Sequence, residues 1–114
     1  MTYISVTGGY ERGEVAEKVV QWCVDHFEID PDRIDVSIQR KYKDCWGTCD
    51  ETSNGRYKIV VVARQSLRDF IATVVHEMVH VKQWETGKWR GNGEREAERL
   101  QYKLTDKLWR EDVL

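Results

Sequence analysis

Proline occurs once in the chain, at Pro31, and cysteine and histidine only three times each. The shortage of proline leaves no stretch that reads as a Pro-rich linker, and no repeat or low-complexity tract is present. An odd set of three cysteines, Cys23, Cys45 and Cys49, does not make a secreted disulfide framework. No apolar run approaches the length of a membrane span. The first residues, Met1-Thr2-Tyr3-Ile4-Ser5, lack the charged segment and apolar stretch of a signal peptide. A cytoplasmic, reducing location is the expectation, with no membrane partner. Excess positive charge is also missing. The net charge is -2, so no global basic field exists to hold nucleic acid. Arg40, Lys41 and Lys43 form the one local exception.

What is there suits a single globular domain spanning residues 1–114. That length builds one core but not two. Hydrophobic residues make up 40% and charged residues 33%, the balance of a folded domain rather than a disordered one. Five Trp and five Tyr supply bulky groups for a core or a cleft wall.

Tyr3 to Thr7 is β-prone and is ended by Gly8-Gly9. From Gly13 to Phe27, Val15, Val19, Val20, Cys23 and Phe27 recur at helical spacing. Pro31 stops continuation. Ile34, Val36 and Ile38 alternate with polar residues, as in a half-buried strand. Asn54-Gly55 predicts a hairpin, with arms near Cys45–Glu51 and Arg56–Ala63. A helix beginning near Ser66 or Asp69 runs to about Glu85. After the glycines at 87, 91 and 93, a last helix runs from Glu94 to Arg110, with Ala97, Leu100, Leu104 and Leu108 on one side. The order predicts an α+β domain with a small sheet and three helices.

The chemistry concentrates at His76-Glu77-Met78-Val79-His80, an HExxH sequence inside the expected helix. Residues four apart share a helix face, so both imidazoles can reach one metal ion. Glu77 sits beside that face, where it can act as general base on a water without being a ligand. Phe70, Ile71, Val74, Val75, Val79 and Val81 make the helix apolar enough to be buried. A buried helix does not carry this polar set without partners for it. The competing reading, two partly exposed histidines and a solvated carboxylate, is the weaker one on that burial.

A catalytic zinc site takes three protein ligands and leaves a fourth position open. No histidine follows His80, and His26 lies far upstream. Glu94, Glu96 and Glu98 fall fourteen to eighteen residues after His80, a gap that fits a helix end, a glycine-rich turn and an antiparallel return. Glu94 and Glu98 share a face, with the small Ala97 between them. Glu94 is therefore favoured as the third ligand and Glu98 as the acceptor behind a ligand imidazole. Glu96 and Glu98 stay open as ligands. Cys45 and Cys49 as half of a structural zinc site, completed by Cys23 and a histidine, is the lesser option.

His76–His80 followed by Glu94-Arg95-Glu96-Ala97-Glu98 resembles the gluzincin metallopeptidase pattern. The small size is similar to that of the minigluzincins. Trp46-Gly47-Thr48-Cys49, ahead of an apolar strand and the HExxH helix, looks like an element of the SprT-like and WLM-type metallopeptidases. Those families take a third histidine or another late ligand, and no histidine follows His80 here. The resemblance covers about residues 40 to 101. It implies a zincin-like fold, one catalytic zinc ion on His76, His80 and Glu94, Glu77 as general base, and Glu98 supporting a histidine. It also implies an extended protein or peptide substrate lying along an edge strand, and an oxyanion-stabilising side chain. Tyr102, Tyr42, Tyr57 and His26 are the candidates for that last role. The alternative is a latent or non-catalytic protein of the same fold, associated with peptide or DNA. The C-terminal stretch Trp109–Leu114 is a further expectation, as a tail able to fold into the cleft.

Overall fold

The computed structural model describes residues 1–9 and 11–114. Among these, the elements follow in the order β1 (Tyr3–Thr7), α1 (Glu11–Phe27), β2 (Arg33–Gln39), β3 (Gly47–Ser53), β4 (Arg56–Val62), α2 (Leu67–Thr86) and α3 (Glu94–Arg110). The expected α+β class, three helices and a small mixed sheet, is what forms. The sheet has the order β1-β2-β4-β3, with β1, β2 and β4 parallel and β3 antiparallel on the edge.

Alternation decides which face of the sheet is covered. Ile34, Val36 and Ile38 of β2 are buried while their neighbours are half-buried. In register with them stand Tyr57, Ile59 and Val61 of β4. Continuing across the sheet, Glu51, Cys49 and Gly47 of β3 stand opposite Tyr57, Ile59 and Val61. Side chains two apart share a face, so Gly47 and Cys49 belong to the face that the helices cover. That edge strand is far more exposed than β4, and Asp50 to Ser53 are open to solvent. The hairpin turns at Asn54-Gly55, where Gly55 takes φ of 78°.

Helix α1 buries Ala16, Val19, Val20 and Cys23 against β1, β2 and α2. Helix α2 starts at an N-cap, Ser66, whose side chain accepts from the Asp69 backbone N–H at 3.1 Å. It ends at Gly87 in the left-handed conformation, φ 68°, which only glycine adopts without strain. Between the caps, Phe70, Ile71, Val74, Val75, Met78 and Val81 join the core. Helix α3 packs back along α2. Fully buried Leu108 and nearly buried Leu104 seal that contact, at roughly 2 kcal/mol of apolar burial each. No helix among the described residues is long and apolar enough to cross a membrane.

Candidate metal centre

The burial pattern of α2 aims the HExxH residues. With Val74, Val75, Met78 and Val79 turned into the core, His76 and His80 come out on the edge facing α3, their side chains only 16% and 12% exposed. Ala97 is fully buried, and its lone methyl lets the first turns of α3 approach α2 closely. Glu94 is the first residue of α3. Its Oε2 lies 3.0 Å from His76 Nε2, and its Oε1 lies 2.7 Å from His80 Nε2. One ligand atom from each of the three residues falls within 4.8 Å of the others. Donors about 2 Å from one tetrahedral ion stand roughly 3.3 Å apart. His76, His80 and Glu94 therefore form a group that could hold a metal ion.

Hydrogen bonding behind the histidines fixes how they face that point. The Gln83 amide nitrogen donates to the Gly93 carbonyl at 2.9 Å and to Glu96 Oε1 at 3.0 Å. With its N–H groups used there, the Gln83 oxygen must accept, and it lies 2.9 Å from His80 Nδ1. The proton of a neutral His80 is thereby assigned to Nδ1, and Nε2 presents a lone pair. His76 Nδ1 faces Gln101 Oε1 at 2.6 Å, and that oxygen accepts from its N–H. Two imidazole lone pairs then converge on the oxygens of one carboxylate. Lone pairs at such distances repel unless a positive charge joins them, either two added protons or one cation. That demand is the electrostatic signature of this site.

The structure reassigns one carboxylate and places another away from the histidines. Glu98, expected to accept from a ligand histidine, is exposed and makes no hydrogen bond to either ring among the described residues. Gln101 and Gln83 take that role instead. Glu98 lies on the Glu94 face, but the longer reach from α3 to His76 falls to the residue seven positions on from Glu94. Glu96 pairs with Lys82 at 2.9 Å and accepts from Gln83, which together outweigh its partial burial and hold its carboxyl below the usual range. It anchors the joint between α2 and α3 rather than facing the histidines.

Glu77 is 6% exposed. Burial pushes its carboxyl up to about 7, against the pull of His76 and His80. It points at β3, where a Cβ on Gly47 would stand 3.2 Å from Glu77 Oε2 and 2.6 Å from a Thr73 methyl carbon. Glycine in the Trp46-Gly47-Thr48-Cys49 element thus has a steric reason: the edge strand passes directly against the HExxH helix. Two hollows, about 670 and 490 Å³, meet at Gly47, His76 and Glu77. They form one groove, walled by Trp46 and Tyr102 on one side of Glu77 and by Trp84 and Trp89 on the other.

The remaining candidates divide clearly. Tyr57 is buried and bonded to Glu85, and His26 stacks on Trp22 at the far end of α1. Tyr42 lies in the loop before β3. Of the four, only Tyr102 lines the groove, its hydroxyl 2.6 Å from Asp69 Oδ1. All three cysteines are free, Cys23 in the core and Cys49 lining the groove, and none belongs to a metal-holding group among the described residues. The C-terminal tail does not enter the groove. Glu111 accepts from Trp22, and Val113 packs on the core. Sequence reasoning missed Gln83 and Gln101. Their signal was spacing alone, Gln83 three residues after His80 and Gln101 seven after Glu94.

Comparisons of the chain with protein-family models, with curated proteins and with solved structures find no match.

Proposed function

We propose that this chain is a zinc-dependent peptidase, with His76, His80 and Glu94 as ligands and Glu77 as the general base. The observation that supports it most is the convergence of two imidazole Nε2 atoms on the Glu94 carboxylate, at 3.0 and 2.7 Å, beside the buried Glu77, which lies outside that group. Two imidazoles and one carboxylate are a donor set suited to zinc, and they leave a position open.

When bound there, zinc would supply Lewis acidity and a water of lowered pKa. The rest falls to the chain. Glu77, with a carboxyl held near neutrality by burial, is suited both to accept a proton from the attacking water and to return it to the departing amine. Gln83 and Gln101 hold the two rings in the tautomer that leaves Nε2 free. The free edge of β3 runs along the groove, so an extended peptide can add to it by backbone hydrogen bonding.

The test is metal analysis combined with hydrolysis of a quenched fluorescent peptide library. Wild type should bind one zinc ion and cut. Glu77→Gln should keep zinc and lose at least a hundredfold in rate. His80→Ala should lose both. Equal zinc content in His80→Ala, or an undiminished rate in Glu77→Gln, would refute the reading.

A further inference from the structure

Around the rim of the groove lies a hollow of about 500 Å³ that the metal centre does not use. Its walls carry Arg40, Lys41, Lys43 and Arg64, all exposed, with Tyr42 and Trp46 between them. None of the four cations forms an ion pair with a carboxylate among the described residues. Lys43 rests over the Tyr42 ring, 5.1 Å from its centre, and one carboxylate, Asp44, shares the hollow. This is a concentration of unspent positive charge on a chain whose net charge is -2. Trp46, 61% exposed, is a wall of both this hollow and the groove. A chain lying in the groove and leaving past Trp46 meets the cations next.

We propose that this hollow binds an acidic segment of a protein or peptide substrate, a short cluster of Asp or Glu on the Trp46 side of the bond to be cut. The inference rests on the peptidase reading for its substrate and on the hollow for its charge. Nucleic acid is the competing polyanion, and the groove argues against it. Asp69 and Glu98 line the groove before the cations are reached, so a backbone charged along its whole length would be repelled there. A peptide with acid at one end only fits both regions. Tyr42 and Trp46 can pack on the aliphatic parts of such a segment while the four cations supply charge.

Binding is measured on the zinc-loaded Glu77→Gln protein by fluorescence anisotropy, so that no cleavage intervenes. The probes are a labelled extended peptide ending in three Glu, the same peptide with three Gln, and a single-stranded oligonucleotide of twelve thymidines. The Glu peptide should bind about tenfold tighter than the Gln peptide in 50 mM salt, the scale of a few exposed ion pairs. That advantage should vanish in 0.5 M salt and in Lys41→Glu/Lys43→Glu/Arg64→Glu, whose affinity for the Gln peptide should not change. Equal affinities for the two peptides, an advantage that survives the triple substitution, or an oligonucleotide that outbinds the Glu peptide would each overturn the proposal. Hydrolysis of the Gln peptide by wild type reports on the peptidase reading separately. A protein that prefers the Glu peptide but cuts neither keeps the acidic site and loses the enzyme.

Discussion

Replacing Gly93 with alanine probes the joint that holds the candidate metal centre together, and Gly87→Ala is its matched control. Both glycines have positive φ, 79° and 68°, and both flank the link between α2 and α3. A Cβ at Gly87 would meet nothing within 4 Å, so its cost is the left-handed backbone alone, about 1–2 kcal/mol. A Cβ at Gly93 would stand 2.1 Å from Gln83 Oε1. The end of a glutamine side chain is ordinarily free to swing aside. Here it is not, because Gln83 is 4% exposed and bonded to His80, the Gly93 carbonyl and Glu96. Moving it forfeits those bonds, each worth roughly 1 kcal/mol net. Gly93→Ala should therefore lose about 3–5 kcal/mol, against 1–2 for Gly87→Ala, in urea unfolding of the metal-free proteins. Because His80 also loses the acceptor that fixes its tautomer, metal affinity should fall by about 10–100-fold in Gly93→Ala and stay unchanged in Gly87→Ala. Two variants with equal stabilities and equal metal affinities would refute the role given to Gln83.

Other outcomes follow from the same geometry. Zinc at about a hundred times its dissociation constant should raise the melting temperature of wild type by about 10 °C, and by less than 2 °C in His80→Ala; an equal rise would mean the metal sits elsewhere. Gly47→Ala should destabilise by about 1–3 kcal/mol, since the new methyl meets Thr73 and the Val60 carbonyl, and it should slow any hydrolysis at least tenfold while zinc is retained. Wild-type stability and rate in that variant would show that β3 does not press on Glu77. Leu108→Ala, a deletion at a fully buried position, should lose about 2–5 kcal/mol in urea unfolding, and a loss below 1 would place α3 off the core.

The elements of the fold were largely legible because their signals are local. Ile34, Val36 and Ile38 alternate as the strand demands, and the N-cap and C-cap glycine bracket α2 within a residue or two of where the apolar period starts and stops. Beyond the Asn54-Gly55 hairpin that joins β3 to β4, pairing was not legible. Nothing in the sequence of β3 says that it takes the edge while β4 slots between it and β2, because strand order depends on partners distant along the chain. At the site, His76, His80 and Glu94 could be placed together because helix spacing and a short return constrain them. The residues behind them could not. Whether Glu98 or Gln101 reaches His76 depends on how far α3 is rotated and slid along α2, and that is set by Ala97, Leu104 and Leu108 packing, not by the carboxylate spacing. A pattern that favours acidic residues there overlooked that an amide oxygen accepts a hydrogen bond as well.

The two carboxylates nearest the histidines differ in setting, and the fold explains why. Glu94 opens α3, half exposed, at the helix end whose free N–H groups favour a negative charge. The Asn92 side chain also accepts from its backbone N–H at 3.1 Å, which steadies that first turn where Gly93 offers no capping side chain. Glu77 lies mid-helix, with no free N–H groups nearby and the edge strand closed over it. Under the proposed function, the half-exposed carboxylate faces the cation beside the histidines, and the buried one, its carboxyl pushed up by burial, exchanges the proton. Exchanging the two by sequence alone would fail. The difference lies in a helix terminus and in a missing side chain at Gly47, not in the glutamates themselves, which are chemically identical.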